Sequence, residues 1–247
     1  MPRRRASIAS VLLLALALAA QLAWRAWVPV PGIGAAALSP APAPAALRLA
    51  GLGEDAALAR LAMLILQAQD AQAGGAQPLR ALDYARVAQW LDLALALDPR
   101  GRYPLVAASQ VYAAVPDPTR VRVMLAFVER AFDADPTARW PWLAQAALIA
   151  RHRLHDLPLA RRYARALRLR AGIAAPAWAR QLEAFVLEDM DEPAAARAVI
   201  GALLAGGQVT DPNELRFLAR RLDELNVRKP AAAARRTVPA ARSAPGL

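Results

Sequence analysis

The chain contains no cysteine, which excludes disulfides, thiolate metal sites and cysteine nucleophiles. It has only two histidines, His152 and His155, three residues apart, with Asp156 as the nearest further ligand. No His-Glu-x-x-His pattern accompanies them, so a metal site is not expected, and both histidines read as solvated or capping groups near a helix end. No Gly-x-Ser-x-Gly elbow or phosphate-binding loop is present, and Gly51-Leu52-Gly53 and Gly74-Gly75 lack the flanking strand that a nucleotide fingerprint needs. No Ser/His/Asp constellation can be assembled. The expectation is a protein that is not an enzyme and takes no cofactor; an enzyme of unrecognised type, built from distant carboxylates, is the alternative. β-Branched and aromatic residues are scarce beside alanine and leucine, so no sheet is expected.

What is abundant is positive charge, +11 over 247 residues. Its location removes the obvious inference. Arg3, Arg4, Arg5 and Arg25 supply four charges at the start, and Arg228, Lys229, Arg235, Arg236 and Arg242 supply five at the end. Only +2 is left for residues 26–227. A body so nearly neutral has no global field for polyanions, which argues against nucleic acid as a partner.

The three leading arginines precede an uncharged run from Ile8 to Trp24. At about 1.5 Å per residue it covers roughly 25 Å of a hydrocarbon core about 30 Å thick, and continuation through Trp27 and Val28 closes the gap. Two readings stand. A retained transmembrane anchor accounts for the run continuing to Trp24 and Trp27, aromatic residues suited to the headgroup zone. A cleaved secretory signal would use the small residues of Ala17-Leu18-Ala19. On either reading the basic start stays in the cytoplasm and the rest is exported, into the periplasm if the source is bacterial. The expected organisation is an anchor or signal over residues 1–30, a Pro/Ala-rich extended linker over 31–50, a helical domain over 51–227, and a basic disordered tail over 228–247.

Within the body, Pro99, Pro136, Pro176 and Pro212 stand 37, 40 and 36 residues apart, and the first two close similar stretches, Leu95-Ala96-Leu97-Asp98-Pro99 and Ala131-Phe132-Asp133-Ala134-Asp135-Pro136. A period of this size filled with helical apolar patterns signals stacked pairs of helices. The spacing predicts helices from Glu54, from about Leu79 to Leu97, from Tyr103 to Val115 and from Val121 to Phe132. Further helices are expected from Trp142 to Leu154, Leu159 to Leu169 and Trp178 to Leu187, with a returning helix to Leu204 after a turn at Asp189-Met190-Asp191-Glu192-Pro193, and a last one opening at Asp211-Pro212. Val121, Met124, Leu125, Val128 and Phe132 fall on one face, a packing stripe. Asp117-Pro118 and Asp211-Pro212 have the form of a cap followed by proline at the first helical position.

These pairs resemble tetratricopeptide repeats. The closing residues Ala94 to Pro99 and Ala131 to Pro136, the large Tyr112 and Trp142 in the first helices, and the turns Asp156-Leu157-Pro158-Leu159-Ala160 and Asp191-Glu192-Pro193-Ala194-Ala195 carry the resemblance over residues 80–205. The spacing exceeds that family's usual 34 residues, and the glycine of its first helix is replaced by alanine or serine. The resemblance implies an all-α, TPR-like solenoid with a groove that binds protein or peptide partners, and it brings no catalytic residues.

One charge pattern stands out. Arg151, Arg153, Arg161, Arg162, Arg165, Arg168 and Arg170 face a single acid, Asp156, and Arg161, Arg165 and Arg168 form one stripe of a helix. The stripe is the candidate partner-binding site, for peptide carboxylates or anionic headgroups. The alternative is that Glu183, Glu188, Asp189, Asp191 and Glu192 of the following pair satisfy it. The functional expectation is a membrane-tethered scaffold that binds an acidic protein or peptide, no small-molecule substrate and no nucleic acid; a soluble exported binding protein is the alternative.

Overall fold

Aspartate and proline divide the chain into its helices. In the computed structural model, which describes residues 13–23, 38–70, 82–207 and 209–236, every element is helical. The helices are α1 (13–23), α2 (Pro44–Ala50), α3 (Asp55–Asp70), α4 (Tyr84–Leu97), α5 (Tyr103–Val106), α6 (Pro118–Ala134), α7 (Pro136–His152), α8 (Leu157–Arg170), α9 (Ala177–Asp189), α10 (Pro193–Ala205) and α11 (Pro212–Arg236). Carboxylates cap five of them: Asp83 accepts from the Ala85 amide at 2.9 Å, Asp117 from Thr119 at 2.9 Å, Asp135 from Ala138 at 3.0 Å, Asp156 from Leu159 at 3.0 Å and Asp211 from Asn213 at 2.7 Å. Each takes up a donor that has no partner inside its helix.

Two boundaries differ from the sequence pattern. The helix expected to begin at Trp142 begins at Pro136, because Asp135 serves two helices at once. Its amide donates to the Phe132 carbonyl at 3.1 Å, ending α6, while its carboxylate caps α7. The expected helix Tyr103–Val115 is not uniform: α5 passes into a π-helical turn at Ala107–Val111 and a 3-10 turn at Tyr112–Ala114. Buried Ser109 donates its hydroxyl to the Leu105 carbonyl at 2.8 Å, and the Tyr84 hydroxyl donates to the Tyr112 carbonyl at 3.1 Å. Such side-chain donors compete with the regular ladder and accommodate a widened turn.

From α3 onward the helices pack mainly against their neighbours in sequence: α3 on α4, α6 on α7, α7 on α8, α8 on α9, α9 on α10 and α10 on α11, with α4 also reaching α6. The core follows that path. Phe127 and Phe132 of α6, Leu143 and Ala146 of α7, and Ala160, Ala164 and Leu167 of α8 are all fully buried. Alanines on α7 and α8 permit close approach of the two axes, while leucine and phenylalanine fill the spaces between, each contributing about 1.5–3 kcal/mol of apolar burial. α9 gives Ala179, Leu182 and Val186 to the main core and Ala184 and Leu187 to a second cluster shared with α10 and α11.

The ends depart further from expectation. Part of the stretch expected as an extended linker is packed. Leu38 is buried, the Leu38 carbonyl accepts from Arg86 at 3.0 Å, the Ser39 carbonyl accepts from the Trp90 indole at 2.8 Å, and α2 follows. The unpaired carbonyls of this proline-rich segment thus find donors on α4. α11 continues to Arg236, past Asn226 where the apolar pattern stops. Residues 1–12, 24–37, 71–81, 208 and 237–247 lie outside the described residues, and with them the basic start and parts of the expected anchor, linker and tail. No described helix is long and apolar enough to cross a membrane; of the run from Ile8 to Trp24 only residues 13–23 are described.

Asp156 connects packing to pH. Its carboxylate accepts from Arg122 as well as from Leu159, and chiefly the Arg122 bond holds its pKa below the usual value. A carboxyl whose native pKa is depressed stabilises the fold above its unfolded pKa, near 3.9, and that contribution fades as pH falls through the lower native value. Asp156→Asn retains a capping acceptor and should flatten the acid limb of stability against pH, whereas Asp156→Ala should also cost about 1 kcal/mol near neutrality through loss of the cap. Thermal melts between pH 3 and 7 measure both.

Candidate functional site

The arginine stripe of α8 is largely engaged within the fold. Arg161 pairs with Glu192 at 3.3 Å, and Arg168 donates through Nε to Glu183 at 2.6 Å, where the acid's side chain is only 4% exposed. Arg165 is exposed and has no hydrogen-bond or ion-pair partner among the described residues. The neighbouring arginines are committed too: Arg151 to Asp189 at 2.5 Å, Arg162 to Glu129 at 2.8 Å, and Arg170 to Asp133. Among the described residues the stripe therefore presents one cation without a partner, Arg165. Asp156, the acid nearest the two histidines, is occupied by capping α8 and by Arg122. No group of three or more acidic or histidine side chains is placed to hold a metal among the described residues.

A different concavity combines free charge with aromatic surface. It is a cleft of about 630 Å³ between the turn that follows α4 and the start of α7. One wall is the Pro99-Arg100-Gly101-Arg102 turn. Asp98 builds it: the Asp98 carboxylate accepts from the Arg100 amide at 3.2 Å and its carbonyl from the Gly101 amide at 3.0 Å. A side chain at position 101 would stand 3.0 Å from that carbonyl oxygen, closer than a Cβ tolerates without displacement, so the tight turn selects glycine. Held in this way, Arg100 and Arg102 are exposed, and neither guanidinium has a partner among the described residues.

The opposite wall is the first turn and a half of α7, with Trp140, Pro141 and Trp142. Both tryptophans are half-buried, and Trp140 meets Trp178 of α9 edge to face at 5.8 Å between ring centres. Arg139, almost fully buried, closes the back. It donates to the Ala131 carbonyl at 2.9 Å and to the Pro99 carbonyl at 2.8 Å, tying the end of α6 to the turn after α4. Asp135 is the one acid in the lining. The Ala138 amide in the first place, with Thr137 and Arg139 adding to it, holds its carboxyl below the usual range.

Such a cleft is suited to a segment carrying carboxylates beside an apolar or aromatic side chain. Guanidinium groups take carboxylates in paired, charge-assisted hydrogen bonds, and indole rings offer large rigid contact area. Sequence reasoning placed Trp142 in a helix but did not connect it with Arg100 and Arg102. The available signal was the proline spacing, which sets Pro99-Arg100-Gly101-Arg102 37 residues before Pro136 and the segment up to Trp142.

Comparison of the chain with protein families, with curated proteins and with solved structures finds no match.

The α8 pairs give a clear stability expectation. Arg165→Gln should leave the melting temperature unchanged, since exposed charges without partners contribute within about 0.5 kcal/mol. Arg168→Gln strands buried Glu183 and should cost toward the lower end of about 3–5 kcal/mol, Arg168 itself being one-fifth exposed. Thermal unfolding of the two variants side by side tests the assignment.

Proposed function

We propose that this chain is a non-catalytic scaffold, a TPR-like stack of helix pairs held at a membrane by its N-terminal apolar segment, which binds an acidic segment of a protein partner on the exported side. The observation that carries the proposal is the cleft between successive helix pairs. In it two arginines without a partner among the described residues share the lining with two half-buried tryptophans. The sequential packing of α3 to α11 and the 36–40-residue proline spacing support a repeat architecture, in which concave surfaces between units hold extended chains. The basic start and the uncharged run to Trp24 support the tether.

Binding is driven in two parts. Arg100 and Arg102 supply attraction and orientation for carboxylates, and Trp140 and Trp142 supply desolvated area. Arg165 lies on α8, outside the cleft lining, and is left for weaker contacts with an acidic partner.

The test uses the protein's own fluorophores. An acidic peptide containing phenylalanine or leucine should perturb tryptophan emission saturably and bind more weakly as salt rises, whereas a basic peptide of equal length should not bind. The Arg100→Gln/Arg102→Gln double variant should lose at least about tenfold in affinity, two charge-assisted contacts being worth at least about 1.4 kcal/mol together. Equal binding of acidic and basic peptides, or unchanged affinity in the double variant, would refute this reading.

A further inference from the structure

The two ends of the helical stack are finished differently. At the C-terminal end, α11 buries Leu218 and Leu225 against the preceding helices and turns Arg216, Arg220, Asp223 and Glu224 outward, with Phe217 and Val227 exposed among them, a mainly polar surface of the kind expected of a terminal unit. At the other end α3 buries Ala59, Ala62, Met63 and Leu66, packs on α4 and α2, and has a remaining side that no other described residue covers. That side is apolar. Leu61 is 51% exposed, Leu64 60% and Ile65 37%, with Ala57 and Ala68 exposed beside them. Arg60 is the only ionisable residue between Asp55 and Asp70.

Ala57, Leu61, Leu64 and Ala68 follow one another at intervals of four, three and four, the spacing of a coiled-coil seam. The pattern is also symmetric about the point midway between Ala62 and Met63. When a second α3 is laid antiparallel across it, Leu61 falls opposite Leu64 of the other copy and Ala57 opposite Ala68. A surface that matches itself under a two-fold rotation is what an isologous dimer requires. Small residues at both ends of the seam and leucines at its centre let the axes approach without an unfilled gap. The chain's own α1 offers no comparable partner. Its exposed Leu13, Leu14, Leu16, Leu18 and Leu22 are spread round the helix and make no stripe.

We infer that two copies of this chain associate through antiparallel pairing of α3, with Leu61 and Leu64 at the centre of the interface. The contact joins the N-terminal ends of two stacks; none of the seam residues lines the cleft, and Gln67 of α3 bonds Tyr103 beside the Arg100–Arg102 turn.

The absence of native cysteine makes the register directly measurable in the full-length chain in mild detergent. Ala57→Cys and Ala68→Cys chains, mixed and oxidised, should form a disulfide-linked dimer. Each variant alone should not, because residues 57 of the two copies would lie about 16 Å apart along the axis, beyond the roughly 7 Å that a disulfide spans between Cα atoms. Leu61→Glu/Leu64→Glu should halve the protein mass seen by light scattering while leaving helicity and melting unchanged, since both side chains are exposed. Cross-linking of either cysteine variant alone as readily as the mixture would overturn the antiparallel register. A monomeric parent chain that yields no disulfide would overturn the association itself, the face then being covered by another segment or another protein.

Discussion

A pair of short helices has two apolar flanks and covers only one of them, so it persists only when another pair lies against it. That constraint runs through this fold. α7 packs against α6 and α8, and α9 places residues in two core clusters at once. Alanine makes the arrangement possible: Ala146, Ala160, Ala164 and Ala179 are fully buried at positions where larger side chains would hold the helices apart. The constraint also explains why the ends matter. A stack has two outer faces, and whatever finishes them decides whether the molecule stands alone. α11 ends in charge, whereas α3 ends in leucine.

Superimposed on this apolar contact is a set of arginines that reach across one period. Arg139 bonds the Pro99 carbonyl and Arg153 the Ala113 carbonyl, each 40 residues back, and Arg130 pairs with Asp92 at a separation of 38. Arg161 to Glu192 spans 31. The separations of 38 and 40 match the proline spacing, while that of 31 is shorter. Exposed pairs of this kind contribute at most about 1 kcal/mol each, so their effect is to fix alignment more than to hold the fold together. Arg168 with Glu183 is different, since the acid is buried. Against a background in which most arginines of the stack are engaged, Arg100 and Arg102 stand out as cations fixed by a tight turn and left facing a cleft.

Much of the fold is legible in the sequence, for identifiable reasons. Asp117-Pro118 marks the start of α6 because a short carboxylate and an amide-free residue suit that position and few others, and the Val121 to Phe132 stripe is buried as its spacing requires. Asp135 escaped because one residue ends α6 and begins α7, which no local rule for starts or stops describes. The π turn after α5 depends on Ser109 and on Tyr84, a residue of another helix, and residues 38–43 are ordered by donors on α4. The candidate site was the least legible part. A run of like charge on α8 was conspicuous in sequence, but its partners lie on α6, α9 and α10. The cleft is made of two segments, each unremarkable alone and joined only by packing.

The account rests on each helix pair being stabilised by its neighbours. Amide hydrogen exchange on the full chain measures that distribution directly. The account predicts the slowest exchange in α6, α7 and α8, which have neighbours on both sides, and progressively faster exchange toward α3 and α11. Protection that is uniform from α3 to α11, or lowest in α7, would contradict it.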